Sequence, residues 1–325
     1  MEFFLPFQIQ SFPFSISYDE KIVFIGSCFS EEIGNRLADL KFDVLQNPNG
    51  ILYDPLSISQ AIFSYIENAQ VGQENLFELN GLWHSWKHHS SFSGVNKNEV
   101  ATKIISSQNQ AYSFFKEAKY LIITFGTAYY YQLKKDKEVV ANCHKAPSHF
   151  FEKKLLAVQE MIEVTIQAIK ALQRFNPSIK IILTISPVKH VRDGIIENNR
   201  SKARLIEATH SIIEQQENVF YFPSFELVND ILRDYRFYKS DLVHPADSAI
   251  DFVFEKFSDS FFDMQTKKIM DEIKKIKLAV NHKTLFKESE GHKKFVEAQL
   301  KNVRKLQKIY PYINLTTEEK YFLKK

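Results

Sequence analysis

Two short segments carry the side chains of a nucleophile and its base. Ser27 and Cys28 follow the apolar run Lys21–Gly26, and Asp241 precedes His244 by three residues. A thiol or hydroxyl can attack an acyl carbonyl, an imidazole can take up its proton, and a carboxylate can hold the imidazole in the required tautomer. These residue types fit nucleophilic acyl chemistry, although an isolated Asp-x-x-His is equally compatible with a solvated loop.

The residues around Cys28 allow two interpretations. Lys21–Gly26 predicts a buried strand, and Ser30 with Glu31 and Glu32 predicts the start of a helix with a hydroxyl cap and an acidic first turn. The thiol would then lie at the positive end of a helix, which favours the thiolate, and a nearby imidazole would favour it further. The alternative is a packing role, because free cysteine is among the most buried residue types.

The rest of the chain predicts the elements that must position these segments. Predicted strands lie at 21–26, 42–45, 119–126, 178–186 and 219–222, with a hairpin at 129–142. Predicted helices lie between them and after the last strand, from about 30 to 40, from 54, and at 99–118, 152–175, 198–216 and 246–262. Alternating strands and helices indicate a mostly parallel sheet covered on both faces. The loops after its first and last strands can meet at one edge.

Domain organisation follows from this pattern. We predict one α/β domain over 1–262, with its core at 21–262, and a lysine-rich helical extension over 263–325. The extension either packs on the domain or binds a partner. Arg200 and Lys202 fall near the start of a predicted helix, so we expect them to cap that helix or face solvent.

Turns at the predicted sheet edge offer backbone donors. Gly50 ends a dense turn after the second predicted strand, and Gly126 with Thr127 follows a central strand. Acyl transfer requires N–H groups aimed at a developing oxyanion, so these residues are candidate oxyanion or substrate-binding positions.

An aromatic segment at 70–98 interrupts the strand and helix pattern. It contains Trp83, Trp86, His88 and His89. This composition fits either a loop or hairpin over a site or a plain aromatic hairpin. As a lid, its flat rings would suit a sugar.

The segment Gly26-Ser27-Cys28-Phe29 after a strand resembles the motif of the GSCFA family, within the SGNH/GDSL hydrolase superfamily. Asp241 and His244 resemble the last block of that superfamily, and the resemblance extends over Lys21–Phe262. It implies a flavodoxin-like three-layer α/β/α sandwich. It also implies hydrolysis of an ester or related acyl bond, without a metal or other cofactor.

The first block of that superfamily is Gly-Asp-Ser, with the serine as nucleophile. The resemblance therefore places Cys28 on the nucleophile and Ser27 on the aspartate. Three readings are open: a thiol nucleophile, Ser27 acting through a shifted turn, or lost catalysis. Cys28 is favoured because it occupies the matching position.

Two further blocks concern the oxyanion hole. Gly50 stands for the glycine of the second block. In the third block the superfamily pattern Gly-x-Asn becomes Gly126-Thr127-Ala128, so the usual side-chain donor is missing. Asn142, His89 and His144 are the candidate replacements. Missing one such donor costs about 100-fold or more in rate.

Composition excludes several classes of function. The 42 Lys and Arg side chains nearly balance 39 Asp and Glu, for a formal net charge of +3, so we expect neither a nucleic acid nor a membrane as partner. No run approaches the roughly 18 apolar residues of a membrane span. Two cysteines form no disulfide framework and the N-terminus lacks signal-peptide features, so a cytoplasmic location is expected.

Three hypotheses of function remain from the sequence. The first is a hydrolase or acyltransferase that acts on the ester bond of a small molecule or carbohydrate, with Cys28 or Ser27, His244 and Asp241 as its catalytic residues. The second is a catalytically inactive relative that binds a glycan or an acylated ligand. The third is a scaffold that recruits a partner through its lysine-rich extension. The acyl group, the acceptor and the oligomeric state are not determined by the sequence.

Overall fold

The computed structural model describes residues 5–69, 72–282, 285–286 and 288–324. Its strands are β1 (Lys21–Gly26), β2 (Val44–Gln46), β3 (Phe77–Leu79), β4 (Leu82–His84), β5 (Ala118–Phe125), β6 (Tyr129–Leu133), β7 (Val139–Val140), β8 (Phe151–Leu155), β9 (Lys180–Ile185) and β10 (Val219–Tyr221). Its α-helices are α1 (Cys28–Asp39), α2 (Pro55–Glu67), α3 (Lys97–Glu117), α4 (Val158–Phe175), α5 (Ile195–Gln215), α6 (Ser224–Glu226), α7 (Asp247–Phe261), α8 (Met264–Asn281), α9 (Glu290–Ile309) and α10 (Thr316–Leu323).

A five-stranded parallel sheet forms the centre of the fold, in the order β10-β9-β5-β1-β2. Counted along the chain, this is the flavodoxin-like order, which changes direction between β1 and β5. Successive residues of β1, from Ile22 to Ile25, are all buried, so both faces of the sheet are covered. The predicted three-layer α/β architecture is confirmed.

Packing on one face of the sheet explains why the flanking helices form. Side chains from alternate positions of β1, β5 and β9 join apolar residues of α2, α4 and α5 in one buried cluster. The helix α2 begins as the sequence predicts, because the carboxylate of Asp54 accepts the N–H of Ser57 at 2.9 Å and Pro55 occupies its first turn.

Two predicted boundaries are wrong for physical reasons. Residues Phe151–Leu155 form β8, which pairs with β6, and not the first turns of the helix predicted from 152. Tertiary pairing overrides local helix propensity there. The helix α1 begins at Cys28 and not at a Ser30 cap. The hydroxyl of Ser30 donates instead to Thr124 Oγ1 at 2.6 Å on the neighbouring strand.

The chain divides into two compact units. The larger one contains Lys21–Gly34 and Val44–Phe254, with the N-terminal residues up to Ile9. It also holds two small antiparallel sheets, β3-β4 and β7-β6-β8. The smaller unit contains Gln10–Glu20, Asn35–Asp43 and the chain from Glu255 onward.

Ion pairs and ring stacking join the sequence-distant parts of the smaller unit. The ring of Tyr18 stacks on that of Phe42 at 3.9 Å, and Lys41 pairs with Glu318 at 2.6 Å. Its helical content agrees with the helices predicted at the C-terminal end. Across the described ranges, no helix is both long and apolar enough to cross a membrane.

Candidate active site

The turn between β1 and α1 requires glycine at Gly26. Its φ of 138° lies in a region that favours glycine, and a Cβ there would lie 2.2 Å from the carbonyl oxygen of Thr124. The N–H of Gly26 donates to Asn47 Oδ1 at 2.8 Å, and the N–H of Ser27 donates to Thr124 O at 3.2 Å. These contacts fix the turn and place Cys28 directly above the sheet edge, at the start of α1.

Accessibility differs between the two candidate nucleophiles. Ser27 is fully buried, and its Oγ has no hydrogen-bond partner among the residues that the structure describes. Cys28 is half-buried, and the N–H groups of Phe29 and of Cys28 itself act to lower the pKa of its thiol. A substrate carbonyl can therefore approach the thiol more readily than the hydroxyl.

The thiol of Cys28 is not a preformed thiolate. Burial raises its pKa, and the carboxylates of Glu31 and Glu32 raise it further, which outweighs the N–H groups at the helix start. The prediction that its surroundings favour the thiolate is wrong. Burial disfavours negative charge on the sulfur, and the acidic first turn that marks the helix start repels it further. A base must remove the proton of this thiol.

Asp241 and His244 form the arrangement that such a base requires. The imidazole Nδ1 of His244 lies 2.7 Å from Asp241 Oδ2. Asp241 Oδ1 accepts the N–H groups of Val243 at 2.9 Å and of His244 at 3.0 Å. These two N–H groups, together with the imidazole, lower the pKa of Asp241 to about 2. The ionised carboxylate therefore receives the Nδ1–H of His244 and leaves Nε2 to exchange protons.

The loop that carries His244 lies against the start of α1. Lys239 Nζ in this loop lies 3.8 Å from Glu32 Oε1, one helical turn after Cys28. On its other side, the N–H of Lys189 donates to Val243 O at 3.2 Å. The structure therefore brings the two predicted catalytic segments to the same edge of the sheet.

Lys202 is buried, so the prediction that it caps a helix or faces solvent is wrong. Its ammonium donates to Gly126 O at 2.7 Å and to Ser186 O at 2.6 Å, so it joins the ends of β5 and β9. Burial lowers its pKa to about 7, and the nearby Cys28 acts in the opposite direction. The sequence held a signal for this burial, because Lys202 lies three residues before Leu205 on the apolar stripe of α5.

His190 also lies at this edge and was not predicted. Its Nε2 is buried without a hydrogen-bond partner in the described part of the chain. A Cβ on Gly126 would lie 3.3 Å from this nitrogen, and the ring of Tyr53 stands edge-on at 5.6 Å. Burial lowers the pKa of His190 to about 3, and the charges of Lys202 and His244 add to this effect. His190 follows β9 in a loop, and no residue pattern there indicated it.

The predicted backbone donors are already used within the turns. The N–H of Gly50 donates to Asn47 O at 2.6 Å. The N–H groups of Gly126 and Thr127 both donate to Tyr53 O, at 2.8 and 3.1 Å. In this structure they hold the turns together, so they are not directly available to a ligand oxygen.

The other predicted binding residues lie in the aromatic segment and beside it. His144 Nε2 lies 2.8 Å from Ser85 O, and burial lowers the pKa of His144 to about 4. Asn142 Oδ1 accepts the N–H of His144 at 2.8 Å. The ring of Trp86 stacks on Phe77 with centroids 3.6 Å apart.

Trp83 and His89 lie elsewhere in this segment. Lys97 Nζ lies 4.4 Å from the ring centroid of Trp83. The backbone of His89 pairs with Asn49 at 2.8 Å, and its Cβ would lie 2.3 Å from a Cβ on Gly50. Of the three predicted replacement donors, His89 packs on the Gly50 turn, whereas Asn142 and His144 hydrogen-bond to each other.

A cavity of about 730 Å³ opens beside the aromatic segment. Polar and aromatic side chains of α2 and the small sheets line it, among them Gln60, Ser64, Trp86 and His88. Neither Cys28 nor His244 is part of its lining. Within the described ranges, no group of three or more His, Cys, Asp or Glu side chains is arranged to hold a metal ion.

Comparison with known proteins identifies a family. The model of the GSCFA family matches residues 21–257, and a model described as the C-terminal domain of GSCFA domain proteins matches residues 273–325. No curated protein matches the chain.

Two solved structures resemble the chain weakly. A carbohydrate esterase family 3 protein from Talaromyces cellulolyticus aligns with a TM-score of 0.38 and 10% identity, over 79% of this chain and 99% of that one. An acetyl xylan esterase from the rumen bacterium Butyrivibrio proteoclasticus aligns with a TM-score of 0.38 and 12% identity, over 74% of this chain and 63% of that one. Likenesses this weak assign no activity.

Proposed function

This chain belongs to the GSCFA family, and we propose that it is a cysteine-dependent hydrolase or acyltransferase acting on ester or related acyl bonds. One observation carries the proposal. The imidazole Nδ1 of His244 lies 2.7 Å from Asp241 Oδ2, in a loop whose Lys239 Nζ lies 3.8 Å from Glu32 Oε1 on the helix that Cys28 begins.

The proposed reaction has two half-reactions, and Cys28, His244 and Asp241 act in both. His244 Nε2 takes the proton of Cys28 as the sulfur adds to the acyl carbonyl, and Asp241 stabilises the imidazolium. The imidazolium then protonates the leaving alkoxide, which departs and leaves a thioester on Cys28. In the second half-reaction His244 deprotonates water or another hydroxyl, which attacks the thioester and returns the thiol.

The raised pKa of the thiol determines how the first step proceeds. Because burial and the two glutamates disfavour the free thiolate, proton transfer to His244 accompanies the attack on the carbonyl. We therefore expect reactivity to depend on His244 and to rise with pH, in contrast to a cysteine that is already ionised below neutral pH.

Acetylation by p-nitrophenyl acetate tests the nucleophile. The acetyl group is located by mass spectrometry of the intact and digested protein, in wild type, Cys28→Ala and the neighbouring control Ser27→Ala. We expect Cys28→Ala to slow acetylation by about 1000-fold or more. Ser27→Ala should change it less than about threefold, because that hydroxyl is buried and without a partner.

Two outcomes contradict the proposal. Loss of acetylation in Ser27→Ala with retention in Cys28→Ala would make the serine the nucleophile. Wild-type acetylation no faster than that of free cysteine would remove acyl chemistry as the function. A carbohydrate ester as substrate stays a prediction, and a panel of acetylated sugars beside simple alkyl esters would test it.

The cavity beside Trp86 supports a second function, binding of a carbohydrate. Its volume of about 730 Å³ accommodates a small ligand, and its lining combines an indole ring with hydroxyl and amide groups. Titration calorimetry of Cys28→Ala with neutral oligosaccharides tests this function without turnover. Gln60→Trp, which narrows the cavity, should abolish any binding, and binding that survives this change would place the ligand elsewhere.

A further inference from the structure

We propose that His190 donates a hydrogen bond from Nε2 to the oxyanion formed at Cys28, and that Lys202 supplies the buried positive charge beside it. This inference rests on the proposed acyl chemistry, because an oxyanion forms only when a nucleophile adds to a carbonyl. It goes further by assigning the oxyanion-binding groups.

The Nε2 of His190 is buried and has no partner among the described residues. An unpaired buried polar atom destabilises the fold, and a role in binding or catalysis is one explanation for such an atom in a native protein. The main chain holds the residue in place, because the N–H of His190 donates to Asn198 Oδ1 at 2.8 Å.

This nitrogen lies against the main chain at the end of β5, because a Cβ on Gly126 would be only 3.3 Å from it. Gly126 follows β5 as Cys28 follows β1, and these two adjacent strands flank the point where the strand order reverses. Ligands of open α/β sheets bind in the crevice at this point. The ring of Tyr53 stands edge-on to His190 at 5.6 Å, and an ionised Cys28 would raise the pKa of Tyr53.

Burial and nearby charges determine the protonation state of His190. Burial has the largest influence on its pKa, the charges of Lys202, His244 and Lys153 act in the same direction, and the carboxylate of Asp193 opposes them. Their sum lowers the pKa of His190 to about 3, so the imidazole is neutral near pH 7. A neutral imidazole with so low a pKa is a poor base but still a good N–H donor. His244, held by Asp241, is the base, and His190 is the donor.

The backbone donors predicted from the turns are occupied. The N–H groups of Gly50, Gly126 and Thr127 already donate to Asn47 O or Tyr53 O. The N–H groups of Cys28 and Phe29 at the start of α1 act on the sulfur. His190 would add a side-chain donor to an oxyanion hole formed there.

Lys202 strengthens this site electrostatically. Its ammonium donates to Gly126 O and Ser186 O and lies 5.9 Å from the ring centroid of Phe225. When protonated, it places a buried positive charge near Cys28, where a developing negative charge is stabilised far more than in water.

Two reactions of the same thiol separate this effect from others. Acetylation of Cys28 by p-nitrophenyl acetate passes through an oxyanion, whereas alkylation by iodoacetamide displaces iodide and forms none. His190→Phe keeps the ring volume and removes the donor, and His190→Gln returns an N–H at similar reach. We expect His190→Phe to slow acetylation about 100-fold with alkylation changed less than about twofold, and His190→Gln to stay within about tenfold of wild type.

Two results would overturn the inference. In the first, acetylation is unchanged in His190→Phe. In the second, acetylation and alkylation slow equally, which would mean that His190 acts on the thiol itself. If His190→Phe does not fold, His190→Leu takes its place as the donor-free variant. Wild-type protein that is alkylated at Cys28 but not acetylated faster than free cysteine would remove the proposed function, and this inference with it.

Discussion

Two regions of the larger unit contain clustered histidines, and they differ in how their hydrogen bonds are satisfied. The first is the sheet-edge site, at the carboxyl ends of the central strands, formed by Cys28, His190, Lys202, Asp241 and His244. The second is the aromatic cluster, formed by Phe77, His84, Trp86 and His144.

The aromatic cluster is saturated with internal bonds. His144 contacts Ser90 Oγ at 3.0 Å and Ser85 O at 2.8 Å, so both its ring nitrogens are used. The Nδ1 of His84 lies 2.6 Å from Ser93 Oγ. Histidines arranged in this way stabilise a loop-rich segment and leave no polar atom for a substrate.

The sheet-edge site is unsaturated by comparison. The Nε2 of His190 and the Oγ of the neighbouring Ser27 are buried without partners in the described chain. Each unpaired group costs stability that packing elsewhere must offset. Residue type alone therefore does not distinguish the histidines of these two regions, whereas their hydrogen bonds differ.

The largest effect that distinguishes the regions is expected from Asp241→Asn. An amide would turn an N–H toward His244 Nδ1 and favour the wrong tautomer, so acetylation of Cys28 should fall by about 100-fold or more. The free energy of unfolding should change by less than about 0.5 kcal/mol, because the Asp241 side chain is about half exposed. Urea denaturation beside the acetylation rate measures both. A large loss of stability with little loss of acetylation rate would mean that Asp241, like the aromatic cluster, serves stability.

The opposite pattern is expected from His144→Phe. The phenyl ring keeps the contacts with His84 and Trp86 but loses the two hydrogen bonds to Ser85 O and Ser90 Oγ. Those two atoms keep one partner each, the N–H of His88 at 3.2 Å and Asn142 Oδ1 at 3.3 Å. The free energy of unfolding should fall by about 1–3 kcal/mol, with alkylation and acetylation of Cys28 unchanged. His149→Phe, at an exposed position close by, is the matched control and should have almost no effect. A rate loss specific to His144→Phe would bring the aromatic cluster into the chemistry.

A pH dependence of stability is the last expected effect. Burial lowers the pKa of His88 to about 3 and that of His144 to about 4, whereas an unfolded histidine has a pKa near 6.5. As pH falls below about 6.5, the unfolded chain therefore binds protons that the folded chain does not. Stability decreases until about pH 4 through His144 and until about pH 3 through His88. Each histidine contributes up to about 1.4 kcal/mol per pH unit over that interval.

The measurement is urea denaturation from pH 7.5 to pH 4.5. His144→Phe should flatten the decline relative to wild type, while His88 and His190 continue to contribute. Asp54 acts in the opposite direction, because burial raises its pKa to about 6 and the folded chain binds its proton first. An unchanged slope in His144→Phe would show that His144 titrates alike in the folded and unfolded chain.

Local sequence pattern predicted most of the fold. The apolar runs that became β1, β5 and β9 are continuous because both faces of a parallel sheet are buried, and this pattern is visible without a structure. The strand β8 was missed because its pairing with β6 is a tertiary interaction. Likewise the start of α1 was misplaced, because the hydroxyl of Ser30 found its partner on another strand.

The sequence by itself determined the parallel α/β architecture, the nucleophile candidate at a strand end, and the Asp241 and His244 pair, whose contact depends on residues only three apart. Only the tertiary structure decided the ionisation of Cys28 and the surroundings of His190 and Lys202. The physical reason is that spacing fixes contacts within one loop or helix. Burial, and the pairing of a polar atom with a partner far along the chain, depend on how all the elements pack together.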